Sequence, residues 1–306
     1  MGSMPSVEAL ASEITRLQAG YTSRVDERLI VQLFTSVRGR ELTTLKTALD
    51  RGGDHRDLQQ LLYRDLGRKS RQELLEHIRL HSPRPDEFEQ PPLRLVSDID
   101  DTIYASIHDR RYPRGTRYPG VLAFYEEVQR ASLGPDSNLT GLVLLTARPS
   151  DRLGLVERWT KRQLARHGLP EPIVLGGSLA ALRSHQSMAA KKLQNFNQYQ
   201  ALYPEFDFLF VGDSGQGDVL LAQALHANFA DRLYGALIHH LGPQPQQEGI
   251  HYFESYLEAA VVLLHEGLLD EAACQRVRQA SLREYRSIAF SSRAQAETAW
   301  ASLEKV

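Results

Sequence analysis

The sequence has little cysteine and no long apolar run. Its single cysteine, Cys274, excludes an intrachain disulfide and favours a compartment in which thiols stay reduced. No stretch approaches the roughly 18 consecutive apolar residues that a membrane-spanning helix needs. The first residues also lack the charged and apolar regions of a signal peptide. We therefore predict a cytoplasmic protein.

An excess of basic residues is also missing. The chain of 306 residues has 36 lysines and arginines against 38 acidic residues, for a net charge of -2. Proteins dedicated to nucleic-acid binding normally gather a basic excess on one face, so we expect no nucleic-acid partner. The length and the 42% of hydrophobic residues suffice for one large domain or two modest ones. The sequence leaves the oligomeric state open.

Prolines separate an N-terminal region from the rest of the chain. Four of the 14 prolines fall in residues 82–92, which we interpret as a linker. Residues 1–81 before it carry the apolar spacing of amphipathic helices and predict a small helical domain. Ser70 and Glu73 have the spacing of a capping box at the start of the last of these helices.

Residues 93–241 have the pattern of an α/β fold. Short apolar runs alternate with helical patterns, which is typical of a parallel sheet with helices on both faces. The predicted strands are Leu93–Ser97, Leu142–Leu145, Ile173–Leu175, Phe208–Val211 and Leu233–Ile238, and the predicted helices are Gly120–Ala131, Asp151–His167 and Lys191–Leu202. Residues 250–306 have a helical pattern and are expected to pack on this core.

Acidic residues follow two of the predicted strands. The first strand is followed by DIDDT (98–102) and the fourth by GDSGQGD (212–218). Ligands bind at the carboxyl ends of parallel strands, so these carboxylates would meet at one edge of the sheet and repel one another. A bound divalent cation resolves that repulsion. Oxygen ligands without a histidine or cysteine cluster favour Mg²⁺ over zinc.

Asp98 and Asp100 form a candidate catalytic pair. In an extended segment residues i and i+2 point to the same side, so these two share a face while Asp101 points away. A carboxylate beside a cation can attack phosphorus to form an aspartyl-phosphate, and its neighbour can protonate the leaving oxygen. Thr146 offers a hydroxyl to a phosphate oxygen, and Lys192 can balance the phosphoryl charge.

The DIDDT segment has competing interpretations. A calcium-binding EF-hand loop would need glycine in place of Ile103 and glutamate in place of Asp109, so that interpretation fails. A phosphate-binding GxxxxGK[ST] loop occurs nowhere in the chain. Aspartates after a strand can also be turn formers and helix caps. Three polar motifs in the right order after three separate strands favour a functional site over that alternative.

The order of these motifs resembles the haloacid dehalogenase superfamily of phosphatases with an aspartate nucleophile. DxDxT, a threonine, a lysine and GDxxxxD follow one another along the chain. More narrowly, SDIDDTI (97–103), YPGVLAFYEEV (118–128), KLQNFNQYQALYP (192–204) and FLFVGDSGQGD (208–218) resemble the phosphatidate phosphatase catalytic domain of the actin patch protein type. The resemblance covers about residues 93–265 and does not extend to the N-terminal helical region.

The resemblance implies a fold, a reaction and a set of site residues. The fold is a Rossmann-like three-layer fold around a parallel sheet, and the reaction is Mg²⁺-dependent hydrolysis of phosphatidate to diacylglycerol and phosphate. The matching residues are Asp98 as nucleophile and metal ligand, Asp100 as general acid and base that also offers its carbonyl to the metal, Thr146 and Lys192 as phosphoryl-binding residues, and Asp213 and Asp218 as further members of the metal site. Lys191 is the neighbouring alternative to Lys192.

Two features bear on the substrate. Relatives of this type show a serine-rich segment ending in Ser-Pro where this chain has TARP (146–149), so Arg148 is a candidate contact to an anionic group. Enzymes of the haloacid dehalogenase type often carry a cap domain, inserted after the first motif or after the third strand, that closes over small substrates. Here only about residues 103–119 and 176–190 are available for such an insertion. These short gaps favour an open site and a phospholipid substrate at a membrane surface. Further candidate substrate contacts are Thr102, Arg110, Arg111 and Arg114. A solvated loop with ordinary charges is the alternative interpretation of this segment.

Two other functional classes stay open. One is a phosphatase of the same mechanism that acts on a soluble phosphomonoester. The other is a catalytically inactive lipid- or protein-binding module on the same fold, against which the intact set of site residues argues. His239 and His240 end the fifth predicted strand near the same edge of the sheet, and His185 lies in the predicted loop before Lys192. Histidines at strand ends are more often structural than catalytic.

Overall fold

The chain forms two compact units, which are described separately. The computed structural model describes residues 5–20, 22–50, 57–84, 87–88, 92–134, 142–149, 155–169, 172–177, 184–215, 217–242, 247 and 249–305, without the side chains of 147–149, 155–158 and 161. The helical unit comprises residues 1–92 and 195–206. The sheet unit comprises residues 93–194 and 207–306. Part of the segment predicted as a linker, 85–86 and 89–91, lies outside the described residues.

The helical unit is built from amphipathic helices with serine and aspartate caps. Its elements are α1 (Val7–Leu17), α2 (Arg24–Phe34), α3 (Gly39–Asp50), the short α4 (Leu58–Gln60), a π-helical turn (Leu61–Asp65) and α5 (Arg68–His81). The side chain of Ser23 caps α2 and forms a capping box with Asp26. Ile14, Ile30 and Phe34 are fully buried, so the apolar sides of α1 and α2 lie in the core of this unit.

The capping box predicted at Ser70 and Glu73 is wrong. Helix α5 begins at Arg68, and its N-cap is Gly67, which makes no side-chain cap hydrogen bond. The Gly67 amide and the Ser70 hydroxyl instead donate to the carboxylate of Glu27 on α2, at 3.3 and 2.9 Å. A carboxylate from a neighbouring helix therefore takes the place of the local cap.

An ion pair lies in the interior of the helical unit. The Lys46 ammonium lies 2.8 Å from the Glu205 carboxylate, and both side chains are at most 1% exposed. The ammonium also donates to the Ser82 hydroxyl at 2.9 Å and to the Leu202 carbonyl at 2.8 Å. Thr43 donates to Glu205 at 2.6 Å. Residues 195–206 are thus joined to α3 by buried polar contacts.

We expect Lys46→Met to lower the free energy of unfolding of this unit by about 3 kcal/mol, because the change leaves the Glu205 carboxylate buried without its counter-charge. Urea denaturation would measure the loss. The double variant Lys46→Met/Glu205→Leu should regain much of it, since replacing both partners removes the uncompensated charge. A double variant that is less stable than the single one would contradict this explanation.

A six-stranded parallel sheet forms the centre of the sheet unit. The strands are β1 (Leu93–Ser97), β2 (Val143–Pro149), β3 (Ile173–Gly177), β4 (Asp207–Asp213), β5 (Leu233–His239) and β6 (His251–Phe253). Their order is β3-β2-β1-β4-β5-β6, and all neighbouring pairs are parallel. β1 pairs with β4 over its whole length, from Leu93 opposite Asp207 to Ser97 opposite Val211.

Helices cover the sheet and make the unit a Rossmann-like three-layer fold. They are α6 (Val121–Leu133), α7 (Leu155–Arg166), α8 (His185–Leu202), α9 (Asp218–Phe229), α10 (Tyr256–His265), α11 (Glu271–Arg286) and α12 (Arg293–Glu304). Only residues 185–194 of α8 belong to this unit. The β1–α6–β2 and β4–α9–β5 connections run in opposite directions along the sheet. Right-handed crossovers therefore place α6 and α9 on opposite faces. α6, α10 and α11 share one apolar core with alternate strand residues such as Leu95, Leu209 and Leu237.

The α/β class and the parallel sheet predicted from the sequence are confirmed, although α9 was not predicted and several elements differ in their bounds. β2 extends to Pro149, so Thr146 lies within the strand rather than after it. α8 begins at His185, six residues before the predicted start. β6 was not predicted because three residues carry too little pattern. No helix in the described ranges is long and apolar enough to cross a membrane.

Candidate metal centre

Three aspartates meet where the strand order reverses. β1 and β4 are neighbours at the centre of the sheet. β2 and β3 lie on the β1 side, and β5 and β6 lie on the β4 side. The carboxyl ends of two such central strands leave a crevice, which is the usual ligand site of an open parallel sheet. Asp98 follows β1, Asp213 ends β4, and Asp218 begins α9.

The three carboxylates are close together and buried. One carboxylate oxygen from each of Asp98, Asp213 and Asp218 lies within 4.8 Å of the others. Asp213 and Asp218 are 0% exposed, and Asp98 is 3% exposed. The Lys192 ammonium, on α8, lies 2.5 Å from both Asp98 and Asp218. The cluster thus contains three carboxylates and one ammonium, so two negative charges are uncompensated if all four groups are ionised.

Burial and the excess of negative charge together shift the pKa values of this cluster. Burial raises the pKa of Asp98 to about 7, although Lys192 opposes the shift. Burial, together with the charges of Asp218 and Asp98, raises the pKa of Asp213 well above its ordinary value. Burial disfavours the Lys192 ammonium, but the carboxylates of Asp218 and Asp98 outweigh that effect and raise its pKa. The cluster therefore favours protons or a cation.

Two of the buried carboxylates have an oxygen with no partner among the described residues. These atoms are Oδ2 of Asp98 and Oδ2 of Asp213. The other oxygen of Asp213 accepts the Gly215 amide at 2.6 Å. Buried polar atoms without a partner are rare, and hard carboxylate oxygens are the ligands that Mg²⁺ prefers. The donor set fits a magnesium ion.

Close backbone packing brings Asp218 and α8 into the site. A Cβ atom on Gly217 would lie 2.6 Å from the His185 carbonyl, so only glycine lets the first turn of α8 come this near. A Cβ on Gly212 would lie 2.7 Å from the Asp218 side chain. The glycines of the GDSGQGD segment therefore provide space for the carboxylate and for the helix that carries Lys192.

Asp100 and Asp101 occupy the turn after β1 and have different partners. The Ser106 hydroxyl donates to the Asp100 carboxylate at 2.9 Å, and this carboxylate is not one of the three in the cluster. The buried Asp101 carboxylate accepts the amides of Ser106, Ile107 and His108 at 2.7–3.1 Å. Asp101 points away from the cluster and organises the 103–119 loop instead.

Two tyrosine hydroxyls make hydrogen bonds next to this turn. The Ser97 hydroxyl donates to the Asp98 carbonyl at 2.7 Å and contacts the Tyr125 hydroxyl, on α6, at the same distance. Tyr256, on α10, donates to the Thr102 carbonyl at 2.7 Å. Thr102 is 0% exposed, so its predicted substrate contact is not supported by its position. A tyrosine on an apolar helix face gives no sequence signal that separates such a role from core packing.

The predicted phosphate-binding residues differ in how the structure places them. Lys192 is buried against Asp98. Thr146 is 3% exposed and lies on β2, two residues beyond Leu144, which is the partner of Ser97 in the sheet. The side chain of Arg148 lies outside the described residues. Lys191 donates to Gln194 at 3.0 Å on the surface of α8, which favours Lys192 as the site lysine.

The basic residues of the 103–119 loop divide into internal and surface positions. Arg111 forms a bidentate ion pair with the buried Asp109 and is only 14% exposed in its side chain, so its predicted substrate contact is not supported. Arg110 and Arg114 are exposed, and neither pairs with an acidic residue in the described part of the chain. Both line a groove of about 330 Å³. Ile107, also in its lining, is 53% exposed.

The three histidines noted in the sequence have different surroundings. His239 is buried at the end of β5 and contacts the Asp101 carbonyl and Arg111, each at 2.8 Å. Burial, together with the Arg111 charge, lowers the pKa of His239 to about 4. His240 packs edge-on against Tyr252. His185 is the first residue of α8 rather than part of a loop.

This strand order also occurs in proteins that bind dinucleotides, but the turn after β1 differs. Dinucleotide sites have a glycine-rich turn there, where the backbone approaches a pyrophosphate. Here the turn is DIDDT, and it presents carboxylates that would repel such an anion. The three buried carboxylates therefore suit the site to a cation.

No protein-family model, curated protein or solved structure matches the chain. The chemical interpretation therefore depends on the residues and contacts described above.

Proposed function

We propose that the chain is a Mg²⁺-dependent phosphatase of the haloacid dehalogenase type that uses Asp98 as its nucleophile. The observation that carries this proposal is the buried Asp98 carboxylate, which shares the Lys192 ammonium with Asp218 and keeps one oxygen without a partner among the described residues. It lies at the crevice between β1 and β4, where parallel sheets bind ligands. Asp100, two residues on, supplies the second carboxyl group that phosphoryl transfer through an aspartate requires.

The residues divide the reaction into two steps. In the first, an Asp98 oxygen attacks phosphorus, the bond to the leaving oxygen breaks, and the protonated Asp100 carboxyl gives that oxygen its proton. An alcohol leaves and an aspartyl-phosphate remains. In the second step, a water oxygen attacks phosphorus while Asp100 takes a proton from the water. The bond between phosphorus and Asp98 breaks, inorganic phosphate leaves, and both carboxyl groups return to their starting states.

Lys192 and the residues that would hold Mg²⁺ balance the negative charge of the phosphoryl group and of Asp98. Asp98, Asp213, Asp218 and the Asp100 carbonyl are the proposed holders of Mg²⁺. The bound ion supplies positive charge that offsets the phosphoryl oxygens and keeps Asp98 ionised. Lys192 contacts Asp98 directly and is placed to neutralise a phosphoryl oxygen beside it.

Phosphatidate is the substrate that we propose, because the sequence resembles phosphatidate phosphatases. Three exposed residues of the 103–119 loop, Ile107, Arg110 and Arg114, support a lipid substrate, since an apolar side chain beside two arginines suits an anionic bilayer surface. The loop is adjacent to Asp100, because Ser106 contacts the Asp100 carboxylate. A soluble phosphomonoester is the alternative substrate.

A phosphate-release assay tests this function. The wild-type chain would be offered phosphatidate in phosphatidylcholine vesicles, lysophosphatidate, nucleotides, sugar phosphates and an aryl phosphate. We expect release from phosphatidate vesicles that stops with EDTA and returns with excess Mg²⁺. Release that persists in EDTA would contradict the metal role. Turnover of soluble esters without turnover of vesicles would contradict the lipid assignment.

The loop arginines give a second prediction. We expect Arg110→Gln/Arg114→Gln to bind anionic vesicles about 30-fold more weakly, because each arginine near such a surface contributes about 1 kcal/mol. Cosedimentation with phosphatidylserine vesicles measures the change without any turnover. The matched control is Arg278→Gln/Arg283→Gln, which removes the same charge from the exposed side of α11. Equal loss in both double variants would mean that only net charge matters, and would contradict a role for this loop.

A further inference from the structure

We propose that His239 is a positioning residue that fixes the carbonyl of Asp101 and thereby the orientation of Asp100. The proposal rests on the function given to Asp100 above. His239 lies 138 residues after Asp101 in the sequence. The proposal assigns a role to its hydrogen bonds with Asp101 and Arg111.

The turn at Asp101 needs external support. Its φ angle is 57°, and among the described residues it is the one non-glycine residue with positive φ. That conformation costs on the order of 1 kcal/mol or more for a residue with a side chain. The Asp101 amide donates to the Tyr104 carbonyl at 3.0 Å, and the Asp101 carbonyl contacts His239 Nδ1 at 2.8 Å. Both peptide groups that flank this strained residue are therefore held.

The hydrogen-bond partners fix the tautomer of His239. A guanidinium group can only donate, so Nε2, 2.8 Å from Arg111 Nη2, must accept. A neutral imidazole then carries its proton on Nδ1 and donates it to the Asp101 carbonyl. The direction of this hydrogen bond is thus set by Arg111.

Arg111 is itself held by three separate parts of the sheet unit. It pairs with Asp109 in its own loop, donates to the Glu254 carbonyl after β6, and donates to the Ser302 hydroxyl on α12, at 2.9–3.2 Å. The His239 ring also stacks on Phe253 with 5.2 Å between ring centroids. Neither side chain can turn away without breaking several buried contacts.

The consequence concerns Asp100, which precedes the strained residue. The Asp101 carboxylate still accepts the loop amides when the donor from His239 is lost, but the Asp101 carbonyl is no longer held. The strained backbone at Asp101 can then turn part of the way towards negative φ, which rotates the peptide between Asp100 and Asp101. The Asp100 carboxyl would then leave the position in which Ser106 holds it. Proton transfer depends on placement within a fraction of an ångström, so turnover should fall while binding of the substrate persists.

Two substitutions of similar polarity separate this role from packing. The amide nitrogen of asparagine takes the place of Nδ1 and keeps the donor to Asp101, whereas glutamine places its amide at Nε2 and keeps only a partner for Arg111. We expect His239→Gln to lower kcat roughly tenfold to a hundredfold, as for a lost positioning contact, with KM changed less than about threefold. His239→Asn should keep kcat within about threefold of wild type. His265→Gln, at an exposed histidine on α10, is the control.

A role in packing alone predicts the reverse order, because asparagine leaves the larger cavity. The proposal is therefore overturned if His239→Asn loses at least as much kcat as His239→Gln, or if neither variant loses any. Hydrogen exchange of the amides of residues 104–109 gives a readout without turnover, and we expect it to be faster in His239→Gln than in His239→Asn. If the wild type releases no phosphate from any ester, the proposed function fails, while the exchange comparison still tests the positioning role.

Discussion

Replacing Asp98 by asparagine is expected to lower phosphate release by at least roughly a thousandfold, because an amide cannot form the aspartyl-phosphate. The substitution keeps the size of the side chain and an oxygen that can accept from Lys192, 2.5 Å from the carboxylate in the wild type. The fold should therefore persist. Steady-state release from the best substrate found, with circular dichroism as a check on folding, measures the effect.

Asp231→Asn is the matched control for this experiment. Asp231 is exposed and lies between α9 and β5, so the same chemical change there should leave turnover at the wild-type rate. If a folded Asp98→Asn protein is as active as wild type, Asp98 is not the nucleophile. Phosphate release would then have to come from another group, and the proposed mechanism would be wrong.

Replacing Asp213 by asparagine is expected to remove the response of the chain to Mg²⁺. The wild type should gain thermal stability with Mg²⁺, because the ion binds the folded state and not the unfolded one. Asp213→Asn keeps the oxygen that accepts from Gly215 but loses the negative charge. We expect little thermal shift with Mg²⁺ and at least about a hundredfold less phosphate release. A normal Mg²⁺ shift in this variant would contradict the assigned ligand.

The pH dependence of the metal-free chain follows from the same carboxylates. The pKa of Asp98 is raised to about 7 and that of Asp213 well above its ordinary value, mainly by burial. The folded state thus binds protons more tightly than the unfolded state, in which the pKa of an aspartate is about 3.9. The contribution of these two carboxylates to stability is therefore largest at acidic pH and is lost as the pH rises from about 4 towards 7 and beyond.

Thermal unfolding at pH 5 and pH 8, with and without Mg²⁺, checks this sign. We expect a small gain from Mg²⁺ at pH 5, where protons occupy the carboxylates, and a larger gain at pH 8. Metal-free Asp213→Asn should be more stable than metal-free wild type at pH 8, since one buried charge is gone. A larger Mg²⁺ gain at pH 5 would contradict the assignment.

The sheet and the carboxylate cluster could be predicted because their signals are local. The apolar run of Leu93–Ser97 defines β1, and the aspartates follow it directly, so the end of a strand and its chemistry occupy adjacent positions in the sequence. The α/β class followed from the alternation of such runs with helical patterns. The roles of Lys192 and Asp218 stay predictions, and the contacts of the Lys192 ammonium with Asp98 and Asp218 were not predicted from the sequence.

What the sequence could not show depends on contacts between distant residues. Arg111 has the composition of a surface residue, and only its contacts with Glu254, Ser302 and His239 place it inside the sheet unit. The same holds for Thr102, which is buried and whose carbonyl accepts from Tyr256 on α10, 154 residues later. The start of α8 was missed because its first turn is polar.

The separation of these contacts along the chain has a consequence for the order of assembly during synthesis. The carboxylate cluster needs no residue beyond Asp218, so it can form once β4 and the start of α9 have emerged. The Arg111 contact with Ser302 spans 191 residues and must wait for α12. If the cluster binds a cation as proposed, a nascent chain could bind it before the loop beside Asp100 is anchored, and metal binding would precede the proposed activity.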